Sequence, residues 1–221
     1  MVDPVTGRLV IAIDGPAGSG KSTVAAALAA RLGLPHVDTG AYYRAATLAV
    51  LRAGVDPGDA DACAAVVAAA DIQRRDGRTL LAGEDVEDEI RGPAVTAAVS
   101  AVSAHPAVRR TLVARQRAEV GAAGGVVEGR DAGTVVVPDA DLKVWLTASP
   151  EERAARRAAQ LGEPAAAHLG DLARRDAADA PQMVPAADAV EIDTTGRPVS
   201  EILDDIVARL PAADTRPGDP P

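Results

Sequence analysis

An α/β fold, with five parallel strands in one sheet and helices on both faces, follows from three features of this 221-residue chain. Short β-branched apolar runs alternate with longer Ala- and Leu-rich stretches, the pattern of strand–helix–strand units whose sheet is covered on both sides. Five such runs are present, at residues 8–13, 35–38, 126–127, 142–146 and 189–193. One stretch breaks the alternation. Residues 72–86 carry turn signals at Asp76-Gly77 and Ala82-Gly83, the mark of a small antiparallel meander inserted into the α/β chain.

Each element has a local cause. Arg8-Leu-Val-Ile-Ala-Ile13 is apolar and β-branched, as a buried parallel strand requires. Residues 22–32 are rich in Ala, Leu and Val and stop at Gly33, which predicts the first helix. Pro35-His-Val-Asp38 is a short strand leading through Thr39-Gly40 into a helix over 41–53, which ends at Gly54. Residues 56–70 are helical by composition, and two further helices are expected near 94–103 and 106–120. Ser149 and Glu152 fit a capping box that starts a helix running to about Leu161. Residues 162–185 carry few large apolar groups and read as a mobile flap, and residues 199–210 form the last helix. The Pro/Asp-rich tail from Pro211 is expected to be disordered. At this length a single domain is expected, with a core over about 8–56 and 93–210, an insertion over 57–92, a flap over 150–185 and a tail over 211–221.

The composition narrows the function. A net charge of −9 opposes binding to nucleic acid or to an anionic membrane surface. Aromatic residues are limited to Tyr42, Tyr43 and Trp145, too few for stacking on single-stranded bases. Cys63 has no disulfide partner, and no basic-then-apolar leader or apolar run of 18 residues is present, so a cytosolic protein is expected.

Residues 15–22, Gly-Pro-Ala-Gly-Ser-Gly-Lys-Ser, fit G-x-x-x-x-G-K-[ST] between a strand and a helix, the context that motif needs. Glycines let the backbone take positive φ and approach a ligand, so that successive N–H groups can cradle phosphate oxygens at a helix N-terminus. Gly15, Pro16, Ala17, Gly18, Ser19, Gly20, Lys21, Ser22 and Thr23 are the expected ATP phosphate site. Lys21 serves the outer phosphates, and the Ser22 hydroxyl is the one expected ligand of Mg²⁺. The chain has two lysines, Lys21 and Lys143, against 21 arginines, so lysine stands where a compact point charge suits the task. Arg153, Arg156 and Arg157 share one helix face; either it closes on the donor phosphates, chiefly through Arg153 and Arg157, or it is solvated beside Glu151 and Glu152.

A donor site needs an acceptor site. Arg44 follows the second strand and Arg130-Asp131 the third, and ligands of open α/β sheets bind beyond the carboxyl ends of strands. These groups are therefore expected near the phosphate loop, with two guanidinium forks for one phosphate. The pieces Ile13-Asp-Gly-Pro-Ala-Gly-Ser-Gly-Lys-Ser-Thr23, Asp38-Thr-Gly-Ala-Tyr-Tyr-Arg44, Gly83-Glu-Asp-Val-Glu-Asp-Glu-Ile-Arg91, Gly129-Arg-Asp-Ala-Gly-Thr-Val-Val136 and Asp193-Thr-Thr-Gly196 together resemble the bacterial cytidylate kinases, over about residues 8–210. The resemblance implies a monomeric P-loop kinase of nucleoside monophosphates that uses Mg²⁺ and ATP to phosphorylate CMP and dCMP. It implies Lys21, Arg44 and Arg130 as catalytic residues. Arg44 and Arg130 would take the CMP phosphate with Thr39 nearby, Ser100, Arg109 and Asp131 the cytosine, and Arg175 and Asp179 the pentose. The base assignment has chemical sense, because Asp131 can accept from the cytosine amine where uracil would present a lone pair.

One departure is expected to matter. Relatives carry an arginine three residues after the flap aspartate, whereas Asp179 is followed by Ala-Pro-Gln182 and no arginine occurs between Arg175 and Arg197. Weaker acceptor binding or turnover is expected. Other readings are a P-loop kinase for another small acceptor such as UMP, or a nucleotide-binding protein without turnover. His36, His105 and His168 show no metal-ligand spacing and read as incidental, and the acids Glu128 and Asp131 receive no metal role.

Overall fold

The structure, a computed structural model, describes residues 8–161 and 166–211. It divides into two compact units, one Asp38–Glu119, the other made of the chain up to Val37 and from Val120 onward.

The larger unit is built on β1 (Leu9–Asp14), every residue of which is buried. That burial on both faces explains its unbroken apolar sequence. Strands β2 (His36–Asp38), β6 (Gly124–Gly129), β7 (Leu142–Thr147) and β8 (Val190–Asp193) complete a five-stranded sheet in the order β2-β6-β1-β7-β8. β1 runs parallel to β6 from the Leu9–Gly124 pair to the Asp14–Gly129 pair, and parallel to β7 from Ile11–Leu142 to Asp14–Trp145. This register positions the site. The loop after Asp14 and the segment after Gly129 leave the sheet from paired positions on one edge.

Helix α1 (Lys21–Leu32) follows the loop and ends on Gly33 in the left-handed conformation. Val24, Leu28, Ile11, Val144, Leu146 and Ile206 form the heart of the core between the sheet, α1 and α8 (Val199–Val207). Helices α6 (Pro150–Leu161) and α7 (Ala166–Asp179) occupy much of the stretch 150–185 expected as a flap; residues 162–165 of that stretch lie outside the described residues, as does the tail from residue 212. Leu172 of α7 is buried against Ala17 and Ala154, so α7 is packed on the loop that precedes α1. The capping box is half formed. Glu152 N donates to Ser149 Oγ at 3.2 Å, but Ser149 N turns to Thr195 Oγ1 at 2.9 Å and the Glu152 carboxylate takes Arg156 Nε at 3.0 Å.

In the smaller unit Asp38 caps α2 (Thr39–Arg52) by accepting from Ala41 N at 2.9 Å, and Asp59 caps α3 (Ala60–Ala69) by accepting from Ala62 N at 3.0 Å. The meander is present as β3 (Ile72–Arg75), β4 (Arg78–Leu81) and β5 (Glu84–Asp85), antiparallel in that order. Its first turn has positive φ at Asp76 and Gly77, the conformation that makes Asp-Gly a hairpin signal. Helices α4 (Pro93–Ala104) and α5 (Pro106–Val120) come next. Tyr42, Leu48, Val67, Ile90, Val102 and Leu112 are buried together in the core of this unit.

Candidate phosphate and metal site

The glycine positions of the loop are sterically determined. Gly15 has φ of +149°, and a Cβ there would lie 2.2 Å from the Leu146 carbonyl oxygen. At Gly18, φ is +77° and a Cβ would lie 2.9 Å from the Arg153 Cβ. No other residue type fits without moving β7 or α6.

Lys21, at the start of α1, folds back so that Nζ donates to the Pro16 carbonyl oxygen at 2.7 Å. Burial, and then the Arg130 charge, push its ammonium down to about 7. The Ser22 hydroxyl donates to Glu128 Oε2 at 2.7 Å. Glu128, next to last in β6, is only 3% exposed, and its Oε1 lies 2.9 Å from His36 Nε2. Among the described residues no group of three or more His, Cys, Asp or Glu could hold a metal by itself. A single hydroxyl backed by a buried carboxylate nevertheless suits Mg²⁺, which keeps waters and takes phosphate oxygens for most of its shell. His36, incidental by sequence spacing, belongs to this cluster. His105 Nε2 instead lies 2.8 Å from the Pro57 carbonyl oxygen. The side chain of His168 falls outside the described residues.

Arg130 leaves β6 and turns to the loop, where Nη1 donates to the Gly15 carbonyl oxygen at 3.0 Å and to Met183 Sδ at 3.5 Å. Its Nη2 pairs with Asp179 of α7 at 3.1 Å. Asp131 is buried, and the two amides after it are fixed by an acid from the neighbouring strand: Ala132 N donates to Asp14 Oδ1 at 2.8 Å and Gly133 N to Oδ2 at 2.7 Å. Burial raises the Asp14 carboxyl to about 6, with the two amide bonds opposing the shift. Asp14 thus joins the start of the phosphate loop to the Arg130-Asp131 segment.

Helix α6 contributes two arginines to the loop. Arg153 Nη1 donates to the Ala17 carbonyl oxygen at 3.0 Å and pairs with Asp176 at 2.5 Å, while Asp176 Oδ1 accepts from Ala17 N at 3.4 Å. Arg156 reaches the Gly18 carbonyl oxygen at 3.5 Å and is anchored on Thr194, at 2.9 Å to Oγ1 and 2.7 Å to the carbonyl oxygen. Arg157 lies half-buried on the same helix. Sequence spacing assigns Asp176 no role and ranks Arg156 behind Arg153 and Arg157, because the contacts of both depend on which way α6 and α7 face. Ser19 is buried within the loop, and Ser22 and Thr23 are exposed at its end.

The remaining expected acceptor residues belong to the Asp38–Glu119 unit, apart from Arg175. Thr39 is buried at the start of α2, and its carbonyl accepts from Gln116 Nε2 at 3.4 Å. Arg44 Nη1 donates to the Ile90 carbonyl oxygen at 2.9 Å and to Thr96 Oγ1 at 3.1 Å. Ser100 lies half-buried on α4, and the Arg109 guanidinium of α5 lies 5.5 Å over the Tyr43 ring. Arg175 is on α7, with its side chain outside the described residues.

Comparison with known proteins accords with this geometry. The profile of the family described as cytidylate kinase matches residues 11–212. The chain is 52% identical over 220 residues to a cytidylate kinase of Rhodococcus opacus, covering 93% of this chain and 94% of that one. It is 50% identical over 210 residues to a cytidylate kinase of Mycobacterium avium, covering 89% and 92%. A solved protein from Eubacterium ventriosum shares the fold with a TM-score of 0.50 at 14% identity, over 91% of this chain and 97% of that one. With the glycine loop, Lys21, Ser22 and the Arg130-Asp131 segment on one sheet edge and a family match over nearly its whole length, this chain belongs to the cytidylate kinase family.

Proposed function

We propose that the protein transfers the γ-phosphoryl group of ATP to CMP and dCMP, giving CDP and dCDP, as a cytosolic monomer. The observation that carries this reading is the tie between the two halves of the chemistry: Arg130 donates to Gly15 of the phosphate loop, and Asp14 binds the amides that follow Asp131. Backbone amides of residues 15–23 bind the donor phosphates, with Arg153, Arg156 and Arg157 of α6 as supporting cations. Arg44 and Arg130 hold the acceptor phosphate, Thr39 lies beside it, Ser100, Arg109 and Asp131 read cytosine, and Arg175 and Asp179 take the pentose.

The protein performs little covalent chemistry in such a transfer; it positions the reactants and neutralises charge. Ser22 would hold Mg²⁺, which when bound would supply charge neutralisation at the donor phosphates. Glu128 accepts the hydrogen bond of the Ser22 hydroxyl and so leaves a lone pair of that oxygen for the cation. Lys21 exchanges the Pro16 carbonyl for an outer phosphate oxygen and becomes fully charged there. Arg153 and Arg130 are each held by an acid of α7, Asp176 and Asp179, and phosphate oxygens compete with these carboxylates for the same guanidinium groups.

The test is ADP release across CMP, dCMP, UMP and AMP, with Asp131→Ala alongside. CMP and dCMP should be preferred, and Asp131→Ala should lose roughly 10- to 100-fold in CMP kcat/KM, the cost of an unpaired cytosine amine, with ATP affinity retained. Equal rates with CMP and UMP would remove the cytosine assignment. The missing flap arginine is tested by Gln182→Arg, for which CMP KM should fall by about threefold to tenfold, the worth of one added hydrogen bond. Unchanged constants would show that this gap is without consequence.

A further inference from the structure

Glu128 has both carboxylate oxygens engaged at the phosphate site: Oε2 accepts from Ser22 and Oε1 faces His36. A hydroxyl has one proton, so when its lone pair serves a cation the proton needs a fixed acceptor elsewhere. The terminal torsion of a glutamate is broad, and one bond from Ser22 does not set the plane of the carboxyl group. His36 supplies a further point, on the other oxygen. It comes from β2, the strand next to β6, and β6 lies next to β1, which leads into the loop. With the Ser22 proton on Oε2, the complementary arrangement has the His36 Nε2–H donating to Oε1.

We propose that His36 is a positioning residue for the metal: by clamping Glu128 it orients the Ser22 hydroxyl and so sets how strongly Mg²⁺ tightens nucleotide binding. The inference rests on the reading of Ser22 as the Mg²⁺ ligand. His36 is half-buried, with 22% of its side chain exposed, so its replacement leaves the core intact. The competing account is an ion pair that only stabilises the sheet edge. Loss of such a pair would lower the melting temperature and weaken all ligands alike, whereas loss of positioning weakens only the metal-dependent part of nucleotide affinity.

ADP binding to the full chain, measured by calorimetry in EDTA and again in excess Mg²⁺, separates them. In His36→Leu the Mg²⁺-dependent gain in ADP affinity should shrink by about threefold to tenfold, somewhat less than the loss seen for groups that touch a metal ligand directly. Metal-free ADP affinity and CMP affinity should be unchanged. His36→Gln, whose amide can donate to Oε1, should recover most of the gain. In a Glu128→Gln background, His36→Leu should add nothing. An unaltered Mg²⁺ gain in His36→Leu would overturn the proposal, and so would a parallel loss of metal-free ADP and CMP binding. Absence of any Mg²⁺ gain in the unmodified protein would overturn the metal role of Ser22 and the proposal with it.

Discussion

Lys21→Met should cripple turnover and leave the nucleotide-free protein more stable. Turnover should fall by about 10³-fold, since the charge lost is one that acts on the migrating phosphoryl group. The gain in stability comes from the depressed ammonium. Burial and Arg130 push Lys21 down to about 7, well below an ordinary lysine. The unfolded chain therefore binds more protons than the folded one between pH 7 and about 10.5, and this lysine's penalty is largest below pH 7 and relieved as pH rises. Methionine keeps the apolar stem and removes that penalty, at the loss of one hydrogen bond to Pro16. The net effect should be a melting temperature raised by several degrees in the nucleotide-free variant.

The same shift makes nucleotide binding a proton-linked event. A triphosphate beside Lys21 restores its charge, so binding above pH 7 takes up a proton, and affinity should weaken as pH rises. Below pH 7 the lysine is already largely charged, and its contribution to the dependence should fade. Calorimetry in buffers of different ionisation enthalpy measures this uptake directly. Lys21→Met should lose the part of the uptake that appears above pH 7.

Arg130→Met should lower CMP kcat/KM by about 10²- to 10³-fold, the usual cost of removing one fixed charge that faces a reacting phosphate. ATP affinity should change far less. A second effect comes from the coupling to Lys21. Arg130 is the second cause of the depressed lysine, so its removal should move Lys21 upward and reduce the proton uptake on ATP binding. The pair between Arg130 and Asp179 is lost as well, which should cost about 0.5–1.5 kcal/mol of stability, the net worth of one such contact. If CMP kinetics were unchanged while stability fell, Arg130 would be a structural brace of α7 and no part of the acceptor site.

Much of the site is legible in the sequence because its signals are local. The glycine loop, its lysine and serine, and the flanking strand and helix occupy one contiguous stretch, so spacing alone specifies them. The Asp76-Gly77 turn is equally local, since the left-handed backbone there selects its residues. The π-type turn at Ala132–Val136 has no comparable signature. It depends on Asp14 binding two successive amides that lie 118 and 119 residues away in sequence. The half-formed capping box shows the same limit, because Thr195 competes for the Ser149 amide and no local motif records that.

By itself the sequence determined that this chain is an α/β phosphate-binding protein, because alternating apolar runs and a fixed loop spacing depend only on backbone sterics and helix-end electrostatics. The tertiary structure decided which charges meet. The order β2-β6-β1 puts His36 against Glu128 and Glu128 against Ser22, and the packing of α6 and α7 turns Arg153, Arg156 and Asp176 to the loop. Such contacts join residues from 23 to 159 positions apart, and only strand order and helix orientation bring partners so distant within hydrogen-bonding reach.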